Sequence, residues 1–447
     1  MAYEASEICT AAALMFTTDE LKKLQVGFNS NKLDRDDLVE KLEEAKSLMK
    51  IGRPKAKVGQ VVFADGSQEQ GFMKILDSSN DKILSDFAVG ISAALGIRGF
   101  ARKKGDNQPT KKVFMTGSKW PSEIEKFSLP EGGGYQYNSA DIMVENNSAK
   151  ARVKKYYGIS LKKKSTQKAT PPPLINKAFD SILDGPGPKG IFNTIKTEVQ
   201  AARAEYFAGV VKEAVKKDII SVPAAHLKWD NQKLFAAKER DKTKFERAYI
   251  DVKGNNSDGY ETDPKNCRSL AMKDFVNEGL AKKDNPLFKK FSEVVEGNGK
   301  IFADTLINLI LKVKLYDKLA ANKELEKYNF GFALVTGVGN LTKVRGSKPT
   351  KFDPKVGVGK AVDLHTVLCG LRQLTANNDE YEIAVDFDKK EITDAAKIFF
   401  KISKANTPIL DLELRYKGKF TPQPQFLGTI TDEFHTILTK ECLVEAK

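Results

Sequence analysis

An acid and a lysine in two neighbouring extended segments are the strongest chemical feature of the sequence. The first segment reads Tyr137-Asn138-Ser139-Ala140-Asp141-Ile142-Met143-Val144, and the second Tyr156-Tyr157-Gly158-Ile159-Ser160-Leu161-Lys162-Lys163. In a strand, alternate residues share a face. Asp141 therefore opens a strand whose Ile142 and Val144 point the other way. On the second strand Ile159 and Leu161 turn inward, while Ser160 and Lys162 share the opposite face. Pairing the two strands brings Asp141 beside Ser160 and Lys162. An acid beside a lysine at a sheet suits a hard divalent cation, Mg²⁺ or Mn²⁺, working on a phosphodiester. The acid would hold the metal. The lysine would position a water or stabilise charge on phosphate oxygens.

The charge distribution supports a polyanionic partner. Lys+Arg is 73 against 59 for Asp+Glu, a net charge of +14, and such a surplus favours nucleic acid or an anionic surface. Between Glu145 and Asp180 there is no acid, and the stretch holds Lys150, Arg152, Lys154, Lys155, Lys162, Lys163, Lys164 and Lys168, with Tyr156 and Tyr157 among them. Lysines that neutralise phosphates give salt-dependent, sequence-independent affinity, and this cluster flanks the Asp141–Lys162 pair. A second basic run, Lys343, Arg345, Lys348, Lys351 and Lys355, lies in a Gly-rich stretch over 340–360. DNA is the partner expected for both runs.

Other chemistries are weakly supported. The four cysteines are far apart and form no CxxC, which argues against a zinc knuckle and fits a reducing compartment. The three histidines have no Ser or Cys partner at a recognisable spacing, so no nucleophilic triad is expected. Gly357-Val358-Gly359-Lys360 ends in Gly-Lys but lacks the hydroxyl residue and the first glycine of a phosphate-binding loop. The first residues include Glu4 and Glu7 and no basic patch, unlike a signal peptide. No apolar run is long enough to span a membrane, so no membrane partner is expected.

The elements that must position these residues follow from periodicity. Residues 17–50 read as helical, with a capping box at Thr17-Thr18-Asp19-Glu20. Residues 51–72 read as extended and loop-like, with a short strand at Val61-Val62-Phe63. A buried helix is expected from Asp81 to Leu95, then a basic turn from Arg98 to Gly105. Strands follow at Lys111–Met115, Tyr137–Glu145 and Tyr156–Lys162. Pro171-Pro172-Pro173 then breaks the chain, and Leu174 to Glu326 reads as mostly helical. Strands return at Phe330–Thr336, Glu380–Phe387, Ala396–Ser403 and Leu410–Tyr416. The fold class expected is α/β. It has an N-terminal helical segment (1–75), a mixed-sheet core in two parts (76–165 and 327–447) and a large helical insertion (166–326).

The order helix, strand, strand, strand, with Asn138-Ser139-Ala140-Asp141 followed by Ser160-Leu161-Lys162, resembles the PD-(D/E)XK nuclease superfamily, the restriction-endonuclease-like fold. The strings Gly158-Ile159-Ser160-Leu161-Lys162-Lys163 and Leu412-Glu413-Leu414-Arg415-Tyr416-Lys417 resemble parts of phage-encoded and restriction-type members. The resemblance covers about half of the chain. It implies Mg²⁺ or Mn²⁺ held by Asp141 and the Leu161 carbonyl, catalysis by Asp141, Ser160 and Lys162, and a homodimer where two strands are cut. It also implies a phage protein located in the host cytoplasm or in the virion.

One position departs from the family pattern. The acid usually found two residues before the lysine is Ser160 here. Glu145 shares a face with Asp141, but four residues of strand span roughly 13 Å, too far for one metal shell. Asp86, Glu123 and Glu125 are the candidates to replace the acid, and the sequence does not choose among them. The reading is a metal-dependent DNA endonuclease. Its alternative is a non-catalytic DNA-binding or virion-associated protein on the same fold. A helical assembly protein is a third reading, motivated by the long helical middle.

Overall fold

The computed structural model describes residues 4–51, 59–117, 119–128, 140–146, 154–164, 173–178, 330–340, 353–376, 382–386, 397–404, 406–416 and 424–430, with short pieces between 216 and 311. The chain divides into two compact units. One is Met1–Pro172 with Leu311–Leu371 and Leu438–Lys447, and the other is Pro173–Ile310 with Arg372–Ile437.

The first unit begins with helices α1 (Ala5–Ala13), α2 (Thr18–Asn29) and α3 (Arg35–Ile51). The capping box expected at Thr17 forms: its hydroxyl accepts from Glu20 N, and Glu20 in turn accepts from Thr17 N at 2.7 Å. Strand β1 (Gln60–Val62), helix α4 (Gly66–Ile75), helix α5 (Asp81–Lys103) and strands β2 (Thr110–Met115), β3 (Ile142–Asn146) and β4 (Lys155–Lys164) follow. After the excursion into the second unit come β8 (Gly331–Val338), β9 (Lys360–Asp363) and helix α6 (Leu364–Ala376). The sheet is mixed, in the order β1-β2-β3-β4-β8-β9. β2, β3 and β4 form an antiparallel meander, and β8 then lies parallel to β4.

One face of this sheet packs on α5 and α1. Tyr157, Ile159 and Leu161 of β4, Ala333 and Val335 of β8 and Ile142 and Val144 of β3 share a core with Phe87, Ala94 and Ile97 of α5 and with Ile8 and Ala12 of α1. The opposite face carries an aromatic layer in which Phe127 stacks on Phe330 and contacts Tyr156, and Phe114 also meets Tyr156. Small residues let the layers approach closely. A Cβ at Gly90 of α5 would lie 2.7 Å from the Cys9 carbonyl oxygen of α1, and one at Gly359 would lie 2.1 Å from the Ser92 carbonyl oxygen of α5. The glycines around 357–359 thus serve close helix–sheet packing.

The segment returning to β9 is fastened to α2. Asn29 both accepts from Val356 N and donates to Val356 O, Gln25 donates to Gly357 O at 2.7 Å, and Lys355 donates to Phe28 O at 3.2 Å. Lys355, the last cation of the second basic run, therefore caps the end of a helix.

Several expectations change. The loop-like stretch 51–72 contains α4, started by Asp65, whose side chain accepts from Gln68 N at 2.9 Å. The basic turn at 98–105 is the last two turns of α5. Arg98 there is buried and donates to the Leu14 and Phe16 carbonyls, answering orphan acceptors at the end of α1. Burial lowers the Arg98 guanidinium to about 10. Tyr156 and Tyr157, placed among DNA-facing lysines by the sequence, are both buried in the core, and the Tyr157 hydroxyl donates to Asp106 at 2.8 Å. By length and composition α5 could cross a membrane, but it is mostly buried inside the unit and reads as a core helix.

The second unit holds a sheet in the order β10-β11-β12-β13-β5, with β5 (Pro173–Ala178), β10 (Glu382–Asp386), β11 (Lys397–Lys404), β12 (Thr407–Tyr416) and β13 (Pro424–Ile430). Every pairing in it is antiparallel. A two-stranded pair, β6 (Ile220–Ser221) and β7 (Asp251–Val252), lies in the same unit. The strands at 382–430, assigned by sequence to one core with 76–165, thus form a separate sheet with a strand from 173–178. Their alternating pattern names a strand but not its partner. Most of the expected helical insertion lies outside the described residues.

Candidate functional site

The proposed residues meet where β3 begins and β4 ends. Asp141 stands just before β3, with its N–H on the Ile159 carbonyl at 2.8 Å. The Thr116 hydroxyl donates to the Ala140 carbonyl and fixes the chain immediately before it. The Asp141 carboxylate accepts from Leu161 N at 2.5 Å. A strand residue directs its N–H and its C=O toward the same neighbour. The Leu161 carbonyl therefore faces the side of Asp141, beyond the start of β3. The acid and the carbonyl expected to share a metal lie on one side of β4.

Ser160 is buried and Lys162 is exposed. The β3–β4 register begins with Ile142 opposite Ile159, and the Asp141 N–H also reaches Ile159, so the ladder does not set Asp141 opposite Ser160. Of the expected group, Asp141 is joined to Leu161 N, and Ser160 and Lys162 share one face of β4.

The acid that sequence reasoning missed is Glu7. It lies in the first turn of α1, and its carboxyl is pushed up to about 8, chiefly by burial and next by the negative charge of Asp141, with Lys162 pulling the other way. The negative charge of Asp141 and the positive charge of Lys162 thus both act on the half-buried Glu7 carboxyl. A divalent cation would add cationic compensation. The one signal the sequence holds for it is an acid opening a helix of small residues.

Two of the three candidates for the missing acid are paired with lysines. Asp86 of α5 is buried and pairs with Lys163 at 3.2 Å. Glu123 pairs with Lys112 at 2.6 Å, and Glu125 opens a short 3₁₀ turn ending at Phe127. Among the described residues no group of three or more His, Cys, Asp or Glu gathers at one point.

The expected phosphate contacts divide. Lys163 is drawn onto Asp86. Lys154 lies 3.9 Å from the fully buried Glu145, whose other cation, Lys111, is 3.5 Å away. Lys155 and Lys164 are half-buried, and burial lowers the Lys164 ammonium. Lys150, Arg152, Lys168, Lys343 and Arg345 lie outside the described residues. Comparison with family models, with curated proteins and with solved structures returns no match.

The raised Glu7 carboxyl sets a pH dependence of stability. In the unfolded chain this group titrates near 4.5, and in the folded protein near 8. Between those values the folded state holds the extra proton, so stability falls as pH rises through that window and levels off above it. Glu7→Gln removes this slope. In EDTA, the melting temperature of Glu7→Gln relative to wild type is expected to climb from pH 5 to pH 8. A constant difference would mean that Glu7 is not held as described.

Proposed function

We propose that the protein is a metal-dependent DNA endonuclease on a restriction-endonuclease-like core. The observation that carries this reading is Asp141 held on Leu161 N near the end of β4, with the charges of Asp141 and Lys162 both acting on Glu7 of α1. Three oxygen donors with two negative charges suit Mg²⁺ or Mn²⁺, and Glu7 supplies the acid that Ser160 does not. When bound, the metal supplies charge stabilisation at the phosphate and a more acidic water. Asp141 and Glu7 would hold it, fixed by the Leu161 N–H and by the docking of α1. Lys162 would stabilise negative charge on the phosphate oxygens or orient the attacking water. The meander followed by a parallel strand supports the family resemblance, as does the apolar helix before it. A phage origin, action in the host cytoplasm and a dimer that cuts both strands belong to this proposal.

Ser160 favours a second reading, a DNA-binding protein on an inherited nuclease fold, because a buried serine contributes no charge to a metal shell. Lys162→Ala separates the two. Under the nuclease reading the variant binds DNA in EDTA nearly as wild type does, and loses cleavage in Mg²⁺. Unaltered cleavage by the variant would remove Lys162 from the site.

A further inference from the structure

The last four residues of β4 alternate between anchored and open. Leu161 donates its N–H to the Asp141 carboxylate at 2.5 Å, and the Lys163 ammonium lies 3.2 Å from Asp86 of α5. Lys162 and Lys164 point to the face of the sheet away from Lys163, because side chains alternate along a strand and the β4–β8 ladder runs unbroken to Lys164. Among the described residues, neither Lys162 nor Lys164 has a hydrogen bond or an ion pair, whereas Lys163 has Asp86. Lys162 is exposed and Lys164 half-buried, so neither is sealed off from solvent.

The half-burial of Lys164 follows from its place in the ladder. It stands opposite Val338 of β8, which is buried, and residues directly opposite one another share a face. The apolar stem of the lysine therefore runs over apolar surface while its head reaches outward. Burial weakens the ammonium's hold on its proton, and no carboxylate pulls the other way. A partly desolvated charge without a counter-ion costs the fold free energy, which an arriving anion offsets. We infer that Lys164 is a phosphate-binding residue of the nucleic-acid site, acting beside Lys162 at the end of β4. Two residues of strand set the two stems roughly 7 Å apart, so both long side chains can reach one nucleic-acid backbone. Lys162, whose charge also bears on Glu7, serves the reacting phosphate. Lys164, one step further along β4, holds the strand next to it. This rests on the nucleic-acid reading above and adds to it the residue that grips the backbone before reaction.

Lys164 takes no part in the proposed chemistry, so its effect is read in binding. Binding of a fluorescent DNA duplex would be followed by anisotropy in EDTA across a salt series. Each phosphate neutralised contributes about 0.9 to the slope of log affinity against log salt. Lys164→Gln is expected to make that slope shallower by about 0.9 and to weaken binding to all sequences alike. Lys164→Arg is expected to keep both. Without DNA, the melting temperature of Lys164→Gln is expected to equal or exceed that of wild type, because the substitution removes a charge that has no partner. Unchanged slope and affinity in Lys164→Gln, beside a wild type that binds, would overturn the role of Lys164 and leave the nuclease reading standing. A clear drop in the melting temperature of Lys164→Gln would show that the charge serves the fold, and would overturn it too. A wild type without salt-dependent DNA binding would overturn the nucleic-acid reading itself.

Discussion

Asp141→Asn is expected to lower metal-dependent DNA cleavage by about a thousandfold or more. The basis is the several kcal/mol that a metal's charge stabilisation contributes to such a reaction. The substitution keeps the shape and leaves an oxygen for the Leu161 N–H, which now meets the carboxylate at 2.5 Å. Folding should therefore survive. Glu7→Gln is expected to behave differently. It removes one of two negative charges, so its main effect is a higher metal concentration for half-maximal cleavage, with a smaller loss at saturating metal. A titration of cleavage rate against Mg²⁺ for both variants distinguishes them. Equal metal dependence in wild type and Glu7→Gln would place Glu7 outside the metal shell.

Gly90→Val is the second change with a large expected effect. The added Cβ would meet the Cys9 carbonyl oxygen at 2.7 Å, with the Cys9 carbonyl carbon at 2.8 Å and the Thr10 nitrogen at 2.9 Å. All three are backbone atoms, so relief requires moving α1 as a whole. Overpacking of this kind costs typically about 1–3 kcal/mol, and a β-branched residue in a helix adds a few tenths. The consequence for the site is specific. Glu7 rides on α1, so a displaced α1 moves it from Asp141. Chemical denaturation should show the stability loss, and cleavage should need more metal, as in Glu7→Gln. A fully stable Gly90→Val would contradict the close packing of α1 on α5.

How much of this was legible in the sequence depends on the range of the signal. The capping box at Thr17, the apolar helix beginning at Asp81 and the meander through Lys162 were readable, because capping and periodicity are local. So was the antiparallel pairing of β3 with β4, which needs only alternation and neighbouring strands. The identity of the second acid was not. Glu7 comes under the charge of Asp141 once α1 docks through Cys9 on Gly90, a contact between residues far apart in the chain. The partners of the lysines were hidden for the same reason. Lys163 and Lys355 read as DNA contacts, and the sequence does not show that α5 brings Asp86 to the first and α2 presents Phe28 O to the second. The split of the later strands into a second sheet was hidden because a strand's pattern carries its faces and not its neighbours.

The central claim is that Asp141 and its neighbours hold a metal that cleaves DNA. The most direct measurement incubates wild type and Asp141→Ala with supercoiled plasmid and with single-stranded DNA, in Mg²⁺, in Mn²⁺ and in EDTA. Nicking by wild type in metal, abolished by EDTA and by the substitution, is the result expected. Binding of the plasmid by both proteins without cleavage in either metal would contradict the claim, and would identify Ser160 as the mark of a nuclease fold that binds DNA without cutting it.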